Sequence, residues 1–440
     1  MSAQQDETFA AIQQLFTVGW APVAILIMAT GGFSLLYAGL VRKKNVAHTI
    51  IVLNLAWTLA FVMYYLIGFP FAYYTPAGSL FGLPKFFLTI ANPLPGSLSA
   101  EGAYGIAASP SGLGDLALWF KMAMFTITAI AIIPGATAER DKLWGWIIAA
   151  AAIASFFYPV VEHWVWGGGW LSSIGFIDYA GSGVVHLFGG TMALVAAKTI
   201  GPRLGKFVGK KKESRAFLGH SLPLSVIGAW LLVFGWFGFN VGSSSASSPQ
   251  TINVELAWVA VTTAMAMAGG LFGAAIFSRG HALTSMAGLL AGAVSICSGA
   301  AVIHPLFAFV TGLVAGVLMT FVQGFMDHVL HIDDACVCVP IHAACGFWGL
   351  IATGLFGAKF LGAHPLYGFS TVESWLHMIA IQFTGALMIA LWAGVSGLVL
   401  FTVINKMGLL RASKDAELFG LDISEHKTFA YPEDMENEFP

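Results

Sequence analysis

Charged residues are scarce in this 440-residue chain: they make up 10% of it, against about 25% in soluble domains. Hydrophobic residues make up 58%, and the mean hydropathy of the whole chain is +0.80. These values exclude a water-solvated surface around one core, and also a soluble domain with a single anchor. With 20 basic and 22 acidic residues, the chain also lacks the basic footprint of a nucleic-acid-binding protein.

Cysteine is scarce as well, and the four cysteines (Cys297, Cys336, Cys338 and Cys345) form no C-x-x-C pair. We therefore expect packed, reduced thiols and predict neither a metal site nor a cofactor. The acidic start of the chain lacks the basic region of a signal peptide, so no cleavage is expected.

Long apolar runs of about 20 residues recur along the chain, which is the length needed to cross a bilayer as a helix. The sequence predicts an all-α polytopic membrane protein with eleven spans. Residues 1–404 form the transmembrane domain, and 405–440 form a cytoplasmic regulatory tail. The approximate limits of the spans are Val18–Val41, Ala47–Tyr73, Leu116–Ala138, Leu143–Trp164, Gly183–Ile200, Leu218–Asn240, Asn253–Ser278, Ala282–Ser298, Pro305–Gly324, Val337–Phe356 and Trp375–Ile404.

Lysine and arginine placement predicts the orientation of these spans. All but three of the 20 basic residues lie at the ends of odd-numbered spans or after them, and the exceptions are Lys85, Lys121 and Lys359. Basic residues favour the cytoplasmic side. The amino terminus and the loop Thr75–Asp115 are therefore expected outside, and the carboxyl terminus inside.

Two segments of the chain resemble each other. In Asp178–Gly190 and in Asp334–Gly346, an aspartate precedes a histidine by eight residues and a glycine follows the histidine by four. The histidines, His186 and His342, fall in spans five and ten, so an odd number of crossings separates the two copies. This pattern predicts a 5+5 inverted repeat with a site between its halves.

Histidines are costly in hydrocarbon, and such residues usually face a cavity or each other. Two related by a pseudo-twofold axis can form a hydrogen bond and hand on a proton. Asp178 is interpreted as a buried anion near a cation, as a helix cap, or as both, whereas Asp334 is expected to cap span ten.

Several motifs resemble those of the ammonium transporter family, in its Amt/methylammonium permease branch. They run from the first span to the tail, so the resemblance covers nearly the whole chain. The motifs are TGGFSLLYAGLVRKKN (Thr30–Asn45), PGATAER (Pro134–Arg140), VWGGGW (Val165–Trp170), DYAGSGVVH (Asp178–His186), FGWFGFNVGS (Phe234–Ser243), DDACVCVPIHAACGFWG (Asp333–Gly349) and GLLRASKDAELFGLDISEH (Gly408–His426).

The resemblance implies a homotrimer in the cytoplasmic (inner) membrane with one pore in each subunit. It implies that Trp166, Phe125, Ser243 and Asp178 capture external ammonium, that Phe125 and Phe239 gate the pore, and that His186 and His342 line it. It also implies that a PII signalling protein binds at the cytoplasmic face.

The sequence departs from the family pattern in a few places. Lys121 stands near the first gate phenylalanine where glutamine is usual, and is expected at the outer mouth. Ala335 replaces a proline, and Lys427 replaces a glycine in the tail.

Three functions follow from these observations. The first is a transporter that deprotonates ammonium and conducts ammonia, with or without the proton. The second is an ammonium sensor with little flux. The third is a neutral ammonia channel of the Rh type.

Overall fold

The computed structural model describes residues 15–73, 78–79, 113–244, 249–431 and 433. Most of the predicted loop Thr75–Asp115 lies outside these residues. Eleven apolar helices follow one another in this part of the chain. They are α1 Ala21–Leu40, α2 Lys43–Tyr73, α3 Leu113–Thr137, α4 Leu143–Ser173, α5 Ser182–Ile200, α6 Leu222–Val241, α7 Pro249–Phe277, α8 Ala282–Ile296, α9 Pro305–Leu330, α10 Val339–Phe356 and α11 Val372–Lys406.

Within the described residues, ten of these helices are long and apolar enough to cross a membrane. The remaining helix, α8, has 15 residues and does not reach that length. The prediction of a helical, multi-pass membrane protein is therefore confirmed. Each predicted span overlaps one helix, because runs of about 20 apolar residues have few other ways to satisfy their backbone in lipid.

Polar connections and a tail complete the described chain. A short antiparallel hairpin pairs β1 Phe207–Val208 with β2 Glu213–Ser214 between α5 and α6. Lys359–Leu361 forms one 3₁₀ turn. The tail forms two short helices, α12 Lys414–Phe419 and α13 Leu421–His426.

The tail contacts the start of α2. The Asp422 carboxylate accepts hydrogen bonds from the backbone N–H groups of Ala47 and His48, at 3.1 and 2.8 Å. These are unpaired donors of a helix N-terminus, which favour a negative charge. The Lys44 ammonium donates to the carbonyl of Glu417 at 2.9 Å. The tail therefore rests on the membrane domain.

Both Asp–His segments start their helices in the same way. The first six residues of α5 (Ser182–Leu187) and of α10 (Val339–Ala344) are π-helical, and each stretch holds the histidine of its segment. Such wider turns are rare and occur often at functional sites. Asp334 accepts a hydrogen bond from the N–H of Val339 at 2.7 Å, which confirms its predicted capping role.

The glycine of each segment lies where the two segments cross. A Cβ on Gly190 would lie 2.2 Å from the backbone nitrogen of Ala343. A Cβ on Gly346 would lie 2.5 Å from the carbonyl oxygen of Ser182. Each copy thus presents a bare backbone to the other. This close approach brings the two histidine-bearing turns together.

Candidate functional site

One of the two cavities described here, the Trp166 cavity, lies beside α3, α4 and α6 and has a volume of about 730 Å³. Its walls combine aromatic rings with a few polar groups. They include Lys121, Phe125, Trp166, Asp178, Ser243 and Glu255.

Trp166 is held in this wall by Asp178. Residues 166–169 leave the helical path of α4, and there the Trp166 Nε1–H donates to the carbonyl oxygen of Asp178 at 2.7 Å. The Asp178 carboxylate accepts hydrogen bonds from the N–H groups of Gly181, Gly183 and Val184, at 2.8–3.0 Å. Asp178 therefore caps α5, which is one of the two roles that the sequence predicts for it. Burial raises the pKa of Asp178 to about 6, although those N–H groups oppose the rise.

Ser243 lies just beyond the end of α6. Its hydroxyl donates to the carbonyl oxygen of Phe239, one turn earlier, at 2.8 Å. Because a hydroxyl has one hydrogen and two lone pairs, its oxygen can still accept a hydrogen bond.

Phe125, which lines the Trp166 cavity, packs against Phe239. The ring centroids of Phe125 and Phe239 are 4.3 Å apart, and both side chains are fully buried. The Phe125 ring meets Trp166 edge-on at 5.4 Å. Such tilted and edge-on contacts are preferred arrangements of aromatic pairs.

The two histidines meet behind this phenylalanine pair. The Nδ1 atoms of His186 and His342 are 3.1 Å apart, and the rings stack with centroids 5.2 Å apart. In such a bond one nitrogen must donate and the other must accept. The His186 ring also lies 5.5 Å from Phe239 and 5.3 Å from Trp236. Its Nε2 is buried and has no hydrogen-bond partner in the part of the chain described.

A column of rings therefore runs inward from the Trp166 cavity. It passes from Trp166 to Phe125, Phe239, His186 and His342. A second cavity, the Asp334 cavity, has a volume of about 240 Å³ and is lined by Ile341, the chain neighbour of His342.

Residues 18–431 match the model of the Ammonium Transporter Family. The chain belongs to the ammonium transporter family. Ammonium transporter Amt1 of Methanocaldococcus jannaschii is 38% identical to it over 421 residues, which cover 96% of this chain and 97% of that protein. Ammonium transporter Amt2 of Archaeoglobus fulgidus is 32% identical, covering 94% of this chain and 87% of that protein.

Solved structures support the same fold for this family member. A protein described as a Sensor Amt Protein superposes with a TM-score of 0.81 at 28% identity, covering 95% of this chain and all of that one. Saccharomyces cerevisiae Mep2 superposes with a TM-score of 0.75 at 24% identity, covering 95% of this chain and 93% of that one, a likeness of fold alone.

The site residues predicted for this ammonium transporter family member come together in the structure. Trp166, Phe125, Ser243 and Asp178 line the Trp166 cavity. Phe239 packs on Phe125, and the two histidines are in contact. Lys121 also lines the Trp166 cavity, so it lies beside the predicted capture residues.

Two residues near the predicted site, Glu255 and Trp236, were not predicted from the sequence. Glu255 accepts hydrogen bonds from the hydroxyls of Tyr179 and Tyr367, at 3.1 and 2.8 Å, in the same cavity. An ionisable residue in an apolar span is itself a functional signal, and Glu255 could have been found in this way. Trp236, stacked on His186, carries no such signal among 14 tryptophans.

All four cysteines are free and buried. Across the described ranges, no group of three or more His, Cys, Asp or Glu side chains is arranged to hold a metal ion.

Proposed function

We propose that this protein captures ammonium in the Trp166 cavity, removes its proton and conducts ammonia along the ring column, with the proton following. The observation that carries the proposal is the contact between His186 and His342, whose buried Nδ1 atoms are 3.1 Å apart, next to the tilted pair of Phe125 and Phe239.

Capture relies on aromatic faces and one directional acceptor. A cation over a tryptophan or phenylalanine face gains about 0.5–2 kcal/mol, depending on its desolvation. The Ser243 oxygen can accept a hydrogen bond from ammonium, whereas potassium has no hydrogen to donate. Trp166, Phe125 and Ser243 together therefore favour ammonium over an alkali cation of similar size.

Deprotonation follows from the mostly apolar character of the ring column beyond the cavity. An unpaired ion in an apolar passage loses hydration at a cost of several kcal/mol. When ammonium gives up its proton, it becomes neutral ammonia and avoids most of this cost. The released proton travels through the His186–His342 hydrogen bond, in which one ring donates and the other accepts.

The proposed architecture of the transporter is the one that the sequence predicts. We propose eleven spans with a 5+5 inverted repeat, an outer amino terminus and a cytoplasmic tail, in a homotrimer of the cytoplasmic (inner) membrane. The Trp166 cavity would then open outward. The tail and the basic loop between α5 and α6 would lie at the cytoplasmic exit, where a PII signalling protein would bind.

Currents from reconstituted protein test this proposal. Proteoliposomes on a solid support should give transient currents with ammonium and methylammonium pulses, and none with potassium. Replacing His186 or His342 by leucine should abolish the current or weaken the preference for ammonium over potassium. His377→Leu, an exposed histidine on α11, is the matched control and should behave as the unchanged protein.

Two results would overturn the proposal. One is folded protein that gives neither a current nor an ammonia-dependent change of internal pH. The other is an unaltered current and selectivity in both histidine variants, which would remove the pair from the mechanism. A change of internal pH without current would instead indicate the neutral channel.

A second candidate function is ammonium sensing, favoured by the likeness to the Sensor Amt Protein. Ammonium would then bind in the Trp166 cavity without appreciable flux, and the tail would pass the signal to a separate partner. Saturable ammonium binding by the same protein that gives no current would support this candidate.

A further inference from the structure

A second pair of histidines, apart from the pair in the ring column, joins the tail to the membrane domain. His426 of α13 faces His48 of α2, with His426 Nε2 3.0 Å from His48 Nδ1 and the ring centroids 5.2 Å apart. His48 is fully buried, whereas His426 is partly exposed. This pair is the tail histidine contact, and His426 is the ring of it that the solution reaches.

The other nitrogen of the buried ring faces an acid. His48 Nε2 lies 3.4 Å from Asp141 Oδ1. The second oxygen of Asp141 accepts hydrogen bonds from the Thr137 hydroxyl, at 3.2 Å, and from the Trp146 indole N–H. Asp141 lies in the short connection between α3 and α4, two helices that line the Trp166 cavity. The tail histidine contact therefore links the tail to this connection.

The space between the two rings has room for one hydrogen. In a hydrogen bond between imidazoles one nitrogen donates and the other accepts. The contact therefore forms when both rings are neutral, and also when one of them is positive. When both are imidazolium, two N–H groups face each other across 3.0 Å and two like charges repel. At least one ring must then be neutral for the tail to stay in place.

The charges around His426 act in opposite directions. Burial disfavours the positive form of His426, and so does the neighbouring His48, whereas Glu425 and Asp422 on the same helix favour it. Burial and His48 outweigh the two acids, so the pKa of His426 in the docked tail lies below its ordinary value.

The other charged groups of the elements packed against α13 are bound elsewhere. Lys44 at the start of α2 donates to the carbonyl of Glu417 in α12 at 2.9 Å. The Glu417 carboxylate lies 2.8 Å from Arg411 Nη2, and the Lys43 ammonium lies 4.9 Å from the centre of the Tyr431 ring. The ordinary pKa values of these groups lie outside the range from about pH 5 to about pH 8, in which histidine titrates.

We propose that the tail histidine contact is a pH-dependent switch, which holds the tail on the membrane domain at neutral pH and releases it in acid. The free tail binds the His426 proton more tightly than the docked tail, because docking lowers the pKa of His426. Docking is therefore strongest above the ordinary histidine value of about 6.5 and weakens as the pH falls below it. Asp422 acts in the opposite direction, because burial raises its pKa in the docked tail.

Hydrogen–deuterium exchange of the full-length protein in membranes, read by mass spectrometry, tests this switch through the backbone N–H groups of residues 414–428. Variants are compared with the unchanged protein at the same pH, so that the chemical exchange rate cancels. The decisive variant is His426→Gln, because its amide can donate to His48 Nδ1 or accept from it and takes up no proton. The two proteins should exchange alike at about pH 8. At about pH 5.5 the unchanged protein should exchange up to about tenfold faster.

Two further variants frame this comparison. His328→Gln makes the same substitution at an exposed histidine at the end of α9, and should follow the unchanged protein at both pH values. The double variant Asp422→Ala/His426→Ala removes the acceptor of two α2 N–H groups together with the histidine, and should show the exchange of a released tail at either pH. The unchanged protein should approach it in acid. If His426→Gln already matches it at about pH 8, His426→Met, which fills the same space without titrating, takes the place of the glutamine variant.

Two outcomes would refute the switch. One is an unchanged protein that stays equally protected, relative to the double variant, at both pH values. The other is a loss of protection in acid that His426→Gln or His426→Met shares, because a different group would then respond to pH. Neither outcome depends on currents, so the failure of the transport proposal would leave the switch standing, and its own failure would leave transport standing.

Discussion

The two Asp–His segments share their pattern and differ in their chemistry. Each begins with a capping aspartate, continues into a π-helical turn that carries the histidine, and reaches a glycine at the crossing. However, the Asp178 carboxylate accepts three backbone N–H groups, whereas the Asp334 carboxylate accepts one from Val339 and leaves Oδ1 without a partner in the described chain.

The surroundings explain this difference. Beside Asp178, α4 supplies Trp166, whose indole ring lines the cavity in which we propose that ammonium binds. Beside Asp334, the connection after α5 supplies Arg203, which pairs with Asp333 instead. The comparison teaches that the two Asp–His segments place the histidines together, while the neighbouring elements give each aspartate different surroundings.

The largest expected effect comes from disrupting the close backbone contact that the glycines of the two Asp–His segments allow. Gly190→Ala and Gly346→Ala each insert a Cβ within 2.5 Å of a backbone atom of the other segment, where no side-chain rotation can relieve the clash. Each should cost about 3 kcal/mol or more of stability. We expect a strong loss of folded, monodisperse protein in size-exclusion chromatography.

Gly324→Ala is the control for this prediction. A Cβ there meets nothing within 4 Å, so the substitution should be neutral or slightly stabilising. Normal yields of both crossing variants would contradict the close approach described here.

The next effect sharpens the difference between the two aspartates. Asp178→Ala leaves three backbone N–H groups without their acceptor and should cost about 3 kcal/mol, whereas Asp334→Ala leaves one and should cost about 1 kcal/mol. Thermal unfolding in detergent should therefore show a clearly larger drop in Tm for the first variant. Equal drops would mean that the caps are equivalent.

A smaller effect is expected from substitution of Trp166, the aromatic residue beside the first Asp–His segment. Trp166→Leu removes a cation–π face and should raise the external ammonium concentration for half-maximal current by roughly 2- to 30-fold. Trp144→Leu, at an exposed tryptophan on α4, is the control and should leave it unchanged. An unchanged value for Trp166→Leu would show that capture occurs elsewhere.

The smallest effect concerns Lys121, the one lysine that lines the Trp166 cavity as described. Because its positive charge repels a second cation, Lys121→Gln should lower the half-saturating ammonium concentration by about two- to threefold at low salt, and less at high salt. Lys359→Gln makes the same charge change away from this cavity. If Lys359→Gln shifted the half-saturating ammonium concentration equally, a local effect of Lys121 would be contradicted.

Much of this fold could be predicted from the sequence, because a helix that crosses a bilayer needs a long apolar run, and such runs can be read directly from the sequence. The repeated Asp–His spacing likewise indicated that His186 and His342 would meet. The sequence could not reveal that Arg203 pairs with Asp333, 130 positions later, because such a contact between distant segments depends on the fold. Nor could it show that Asp422 of the tail caps α2, a contact made by folding alone.

The packed rings of Phe125 and Phe239 have one consequence for the proposed transport. Fully buried and 4.3 Å apart, they leave no standing column of water along this route. If ammonia follows the proposed route, each passage requires the two rings to swing aside. A membrane could then hold many copies of the protein without dissipating its electrochemical gradient.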